Sequence, residues 1–177
     1  MRKYFCLLLF LTANTITNVH AQTQFHSYVV LTDSINHNEK MLKGIITKSD
    51  LADDTAFRWY AVSRKIYDYP DSAAVAAFRN HKDKISFVIF CGTWCEDSQF
   101  IIPKFFKIQE AADFPVDRIT LFAVDRQKET LGNIADAMNV IKTPTIIVME
   151  NGKEKGRVEE YGKTGYWDKE LAAIINN

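Results

Sequence analysis

The run Ile85-Ser86-Phe87-Val88-Ile89-Phe90-Cys91-Gly92-Thr93-Trp94-Cys95-Glu96-Asp97-Ser98-Gln99-Phe100-Ile101-Ile102-Pro103 decides how this chain is read. Its first part, Ile85 to Phe90, is apolar, β-branched and aromatic over the length of a strand, which predicts a strand crossing a core sheet. Gly92 marks a short turn. Beyond it, Ile101, Phe105, Ile108 and Ala112 recur at steps of 4, 3 and 4 residues, the spacing of one helical face. Cys95 is therefore expected where strand gives way to helix, close to the helix N-terminus. Unpaired backbone N–H groups and the positive end of the helix dipole stabilise a thiolate there. From that position a cysteine acts as a nucleophile.

Three further features join this stretch. Thr143-Pro144-Thr145 precedes the apolar run Ile146 to Met149, and Asn151-Gly152 follows as a hairpin turn. Trp94-Cys95-Glu96-Asp97-Ser98 resembles the Trp-Cys-Gly-Pro-Cys active site of thioredoxin-fold proteins, with serine in place of the second cysteine. Pro103 stands where that family carries the proline that kinks its central helix, and Thr143-Pro144-Thr145 resembles its cis-proline element. The resemblance covers roughly Ile85 to Asn177. It implies an α/β thioredoxin-like fold, a central mixed β-sheet flanked by helices in the order β-α-β-α-β-β-α; periodicity by itself indicates only α/β. It also implies a groove lined by Trp94, Thr143, Pro144 and the backbone around Tyr161-Gly162, with the proline facing Cys95.

Departures from the family pattern bear on the chemistry. Ser98 replaces the resolving cysteine, so the usual neighbour cannot release a mixed disulfide at Cys95. By the same resemblance, Ile89 stands where thioredoxins keep a buried aspartate that serves the second thiol. Glu96 and Asp97 replace Gly-Pro, and two carboxylates beside a thiolate oppose the helix dipole. Ser98, at the helix start, is a candidate donor to the thiolate. Cys91 is open to two readings, an unusual resolving thiol or a small buried core residue; bridging it to Cys95 requires Cα atoms within about 7 Å. Arg126 likewise has two readings, a cation near Cys95 that offsets the acids or a solvated loop arginine.

Composition bounds what the chain can be. With 177 residues, 47% hydrophobic and formally neutral, it suits one globular domain with modest additions and gives no electrostatic case for nucleic acid. Arg2 and Lys3, the apolar run Cys6 to Leu11, and small residues at Val19 and Ala21 read as a secretory signal peptide, residues 1–21, cleaved after Ala21. The apolar run is far shorter than the roughly 20 residues of a membrane span, so no span is expected after signal removal. Export, periplasmic or secreted, permits disulfides, yet Cys91 and Cys95 alone make no structural framework. His26, His37 and His81 show no metal-ligand spacing, and neither metal nor cofactor is expected.

Residues 22–82 read as a mainly helical extension packing on a thioredoxin-like domain of residues 83–177. Within the extension, Tyr28 to Leu31 and Gly44 to Thr47 are short strand candidates, and Asp33-Ser34-Ile35-Asn36 reads as a turn. Asp53 or Asp54 is expected to cap a helix carrying Trp59, Val62 and Ile66 at 3 and 4 residue spacing, and Asp71 or Ser72 an alanine-rich one with Val75 and Phe78 inward. Phe57, Trp59, Tyr60, Tyr67 and Tyr69 are expected to join the extension to the sheet. Further on, a strand is expected over Ile119 to Val124, a helix over Leu131 to Met138 and a last helix burying Trp167, Leu171, Ile174 and Ile175.

Two functions are consistent with these residues. One is thiol–disulfide exchange through Cys95 as a single nucleophilic thiol, a monothiol reductase or disulfide isomerase acting on protein or small-thiol disulfides with an unknown redox partner. The other is a redox-inactive thioredoxin-fold module that binds peptides or proteins in the groove.

Overall fold

The computed structural model describes residues 27–67 and 69–177; the expected signal peptide lies outside the described residues. Strand β3 (Ile85–Cys91) is the centre. It pairs parallel with β4 (Ile119–Ala123) and antiparallel with β5 (Thr145–Glu150), which pairs antiparallel with β6 (Lys153–Glu159). The opposite edge is extended by β2 (Lys40–Ile46) against β4 and by β1 (Tyr28–Thr32) against β2, giving the order β1-β2-β4-β3-β5-β6. The residues ahead of the thioredoxin-like part thus supply two strands as well as helices.

A strand with neighbours on both sides and cover on both faces is expected to be largely apolar, and β3 is so at every position but Ser86. Its odd positions Ile85, Phe87, Ile89 and Cys91 enter the larger core, while Phe90 and Val88 face a smaller cluster with Ala135, Val140 and Ile147. On the large-core face lie α3 (Ser72–His81), α4 (Glu96–Ala111) and α6 (Trp167–Asn176). Phe78 of α3 stacks on Phe87 at 4.8 Å, and Phe87 meets Phe105 of α4 edge-on at 5.1 Å. Rings so arranged add to the energy of burial. The predicted face of α4 holds: Ile101, Phe105, Ile108 and Ala112 are all fully buried, with Pro103 inside the helix.

Helix caps follow the expected chemistry with one shift of phase. Asp71 caps α3 by accepting the Ala74 N–H at 2.9 Å. Asp54 caps a single 3₁₀ turn, Thr55–Phe57, and α2 (Trp59–Ile66) begins only after it. That turn rotates the helix relative to the sequence expectation. Tyr60 and Phe57 are buried, whereas Val62 and Ile66 are exposed and Tyr69 is almost fully so. On the face turned to α4, Arg64 makes a two-pronged ion pair with Glu110 instead.

Helix α1 (Lys48–Ala52) starts with a capping box in which Thr47 and Asp50 satisfy each other's backbone N–H groups. Thr47→Ala is expected to cost about 1 kcal/mol of stability, read as a shift in the urea midpoint at unchanged slope.

At the other end, Asn151 and Gly152 both take positive φ, 53° and 75°, the conformation of a type I′ turn that matches strand twist. The helix expected over 131–138 is confined to α5 (Ile134–Ala137). In α6, Trp167, Leu171 and Ile175 are buried, and Ile174 is partly so.

Candidate functional site

Strand β3 ends at Cys91, and the chain turns through Gly92, Thr93 and Trp94 into α4. Cys95 is the N-cap residue of that helix, in extended backbone conformation and without a side-chain cap bond. The first-turn N–H groups, which no intrahelical carbonyl can serve, are left to favour negative charge at that end. The Cys95 thiol donates to the Thr143 carbonyl oxygen at 3.1 Å. The Thr143–Pro144 peptide bond is cis, and the Pro144 carbonyl accepts from the Glu160 N–H at 2.8 Å. Cys95 and the proline loop therefore face each other across the mouth of the sheet.

Ser98 lies one turn into α4, and its hydroxyl is spoken for. It accepts the Gly92 N–H at 3.1 Å and shares a hydrogen bond with the Thr143 hydroxyl at 3.3 Å. Its buried oxygen ties the turn, the helix and the proline loop together, and its hydrogen bonds go to these groups rather than to the Cys95 sulfur. Cys91 is also buried, 2% exposed, beneath the same turn. Burial, and then the neighbouring Cys95, push its thiol up to about 12. A thiol that is both protonated and shielded is badly placed to resolve a mixed disulfide. Both cysteines are free.

Trp94 is fixed from three sides. Its indole N–H donates to the Val124 carbonyl at 2.9 Å, and its ring covers Gly92, where a Cβ would stand only 2.7 Å from ring carbon Cε2. The Arg126 guanidinium lies 4.6 Å from the ring centroid on a cation–π contact. Arg126 in turn grips Asp33, in the loop between β1 and β2, through two hydrogen bonds of 2.7 Å. Asp33 is fully buried, and the Arg126 hydrogen bond lowers its carboxyl to about 2. Of the two readings of Arg126, the structure places it beside the site with its charge already met by Asp33.

On the far side of the sulfur, Tyr161 packs against Phe100 at 5.7 Å between centroids. Burial, followed by Asp97, raises its phenol. Gly162 turns with φ 77° and donates its N–H to the Glu159 carbonyl. Trp94, Cys95, Thr143, Pro144 and Tyr161 are thus gathered at the end of the sheet where β3 finishes and β5 begins.

Sequence reasoning missed Asp33, Ile35 and Asn36 as neighbours of this site. It read only a turn there, which gives no hint of what the turn touches. A larger cleft, about 720 Å³, is lined by Tyr60, Arg64, Lys107 and Glu110. It sits toward the C-terminal end of α4, about 18 Å along the helix from Cys95, and holds no thiol. Among the described residues no group of three or more His, Cys, Asp or Glu side chains is placed to hold a metal.

The family model named Thioredoxin matches residues 72–176, from α3 to the end of α6. The chain belongs to the thioredoxin family. A curated relative, the chloroplastic thioredoxin Y of Oryza sativa subsp. japonica, is 32% identical over 77 residues, 44% of this chain and 43% of that protein. The chain thus spans less than half the length of that relative. Among solved structures, a protein of unknown function from Pseudomonas aeruginosa aligns at 18% identity over 67% of this chain and 82% of that one, TM-score 0.48. The reduced thioredoxin pre-protein of Schistosoma mansoni aligns at 24% identity over 60% and 90%, TM-score 0.39. The matched range of this thioredoxin-family chain contains Cys95, Ser98, Thr143 and Pro144, and leaves β1, β2 and the loop carrying Asp33 outside it.

Proposed function

We propose that this chain exchanges thiols and disulfides through Cys95 as its single nucleophilic thiol, as an exported monothiol reductase or disulfide isomerase. The observation that carries this reading is the partly buried Cys95 at the N-cap of α4, its sulfur facing the carbonyl that precedes the cis proline. In the first step the Cys95 thiolate attacks one sulfur of a substrate disulfide. A protein–substrate disulfide forms, and the other substrate sulfur leaves as a thiolate. Release needs a second thiol. Ser98 offers none and Cys91 is buried, so it comes from the substrate itself, which is isomerisation, or from a small external thiol that supplies the reducing electrons.

Reduced protein treated with hydroxyethyl disulfide is expected to gain one adduct by intact mass, mapped by digestion to Cys95 and absent from Cys95→Ala. An adduct confined to Cys91, or none, overturns the reading and favours the alternative of a groove that only binds. Export rests on residues 1–21, and the protein recovered from its host is expected to begin at Gln22.

A further inference from the structure

A pocket of about 410 Å³ opens beside Cys95, lined by Ile35 and Asn36 on one side and by Trp94, Glu96, Asp97 and Arg126 on the other. The first wall comes from the β1–β2 loop, outside the range that matches the family. That loop is held in place. Asp33 grips Arg126 and accepts the Ile35 N–H at 2.9 Å, while its own N–H donates to the Glu39 carbonyl and Asn36 bonds Glu39 through both backbone and side chain. Ile35 is thereby presented as an apolar lip, 65% exposed, at the mouth of the pocket.

The charges in this pocket do not cancel. Arg126 is the cation among its lining residues, and its guanidinium is taken up by the buried Asp33. Among the described residues no lysine, arginine or histidine pairs with Glu96 or Asp97 within salt-bridge distance. Two carboxylates, Glu96 exposed and Asp97 partly so with the Tyr161 phenol beside it, therefore line the same pocket as the reactive sulfur without a counter-ion, where their field reaches an incoming group.

We propose that the loop-walled pocket selects disulfides that carry a positive charge next to the sulfur, with Glu96 and Asp97 as the selecting residues and Ile35 and Trp94 receiving the short apolar linker. The inference rests on Cys95 being the nucleophile. The selecting step is encounter and orientation; the bonds made and broken are those of the exchange already described. A lysine or arginine beside a protein cystine and a small amine disulfide present the same chemistry.

The test measures the rate of mixed-disulfide formation at Cys95 with cystamine, hydroxyethyl disulfide and dithiodiglycolate, of positive, zero and negative charge. Each rate is divided by that of a neutral cysteine amide with the same reagent, which removes intrinsic reactivity. At low ionic strength cystamine is expected to lead dithiodiglycolate by about tenfold, the scale for two carboxylates acting at close range through a mostly aqueous medium. The lead is expected to shrink severalfold at high salt and to vanish in the Glu96→Gln, Asp97→Asn double variant, whose isosteric amides keep an oxygen for the Tyr161 phenol. A flat or reversed order in wild type, or an order that survives in the double variant, overturns the proposal while leaving Cys95 as the nucleophile. Failure of Cys95 to react with all three reagents removes both. A second pair of probes, peptide disulfides flanked by lysine or by glutamate, separates the sources: a matching order assigns the pocket to protein substrates, and an order confined to the small reagents assigns it to amine disulfides.

Discussion

Ser98→Cys is expected to shorten the life of a Cys95 mixed disulfide by about 100-fold or more, because it places a resolving thiol in the same molecule at high effective concentration. Cys95 is the N-cap of α4 and position 98 follows three residues later. Side chains at that separation lie about 5–6 Å apart at Cβ, and bridged cysteines need Cα atoms within about 7 Å. Only a small adjustment is therefore needed to close the bond. The Ser98 oxygen already sits between the Gly92 N–H and the Thr143 hydroxyl, so the larger sulfur displaces Thr143 slightly and does not open a cavity. The measurement is release of a fluorescent thiol from the preformed adduct, in wild type and variant. The oxidised variant is also expected to show the mass of an internal disulfide. An adduct equally long-lived in both proteins would refute the view that the missing thiol is what limits release. Ile89, fully buried beneath the site, leaves no carboxylate there to take the proton from the new thiol. The gain is thus expected to be greater at alkaline pH.

The second large effect is on stability. Asp33→Ala is expected to lower the unfolding free energy by about 3 kcal/mol near neutral pH. It leaves the Arg126 guanidinium, only 18% exposed, without its carboxylate, and breaking such a pair from one side costs more than the pair itself contributes. The pH dependence has a definite sign. The folded Asp33 carboxyl is held at about 2, below its ordinary 3.8, first by the Arg126 hydrogen bond. Its contribution is therefore present above about pH 4 and is lost as pH falls through that window. The gap in urea stability between wild type and variant should be widest near neutral pH and narrow toward pH 2. A gap that does not change with pH would mean that packing, not charge, fixes the loop. Trp94 offers an independent readout, because the cation on its ring is held by Asp33. Its fluorescence is expected to shift in the variant even under conditions where the protein stays folded.

Much of this molecule follows from local rules. The mostly apolar run of β3, the inward face of α4, the Asp71 cap and the Asn151-Gly152 turn each express a preference that a few neighbouring residues satisfy together. The pairing of Trp94-Cys95 with Thr143-Pro144 was legible only through the resemblance to a family, since nothing in either segment alone says that they meet. Where local rules competed with packing, they lost. The apolar spacing of Val62 and Ile66 suggested an inward face, but a 3₁₀ turn ahead of α2 rotated it and an ion pair from Arg64 to Glu110 met α4 instead.

The sequence by itself determined the central strand, the helix that follows it and the cysteine at their junction, because periodicity, caps and turn geometry are properties of adjacent residues. Only the tertiary structure decided what surrounds that cysteine. Asp33 and Arg126 are 93 residues apart, and Ser98 and Thr143 are 45 apart. Which distant side chains meet depends on how strands are ordered in the sheet and which loop closures the buried core repays, and no local pattern records that order.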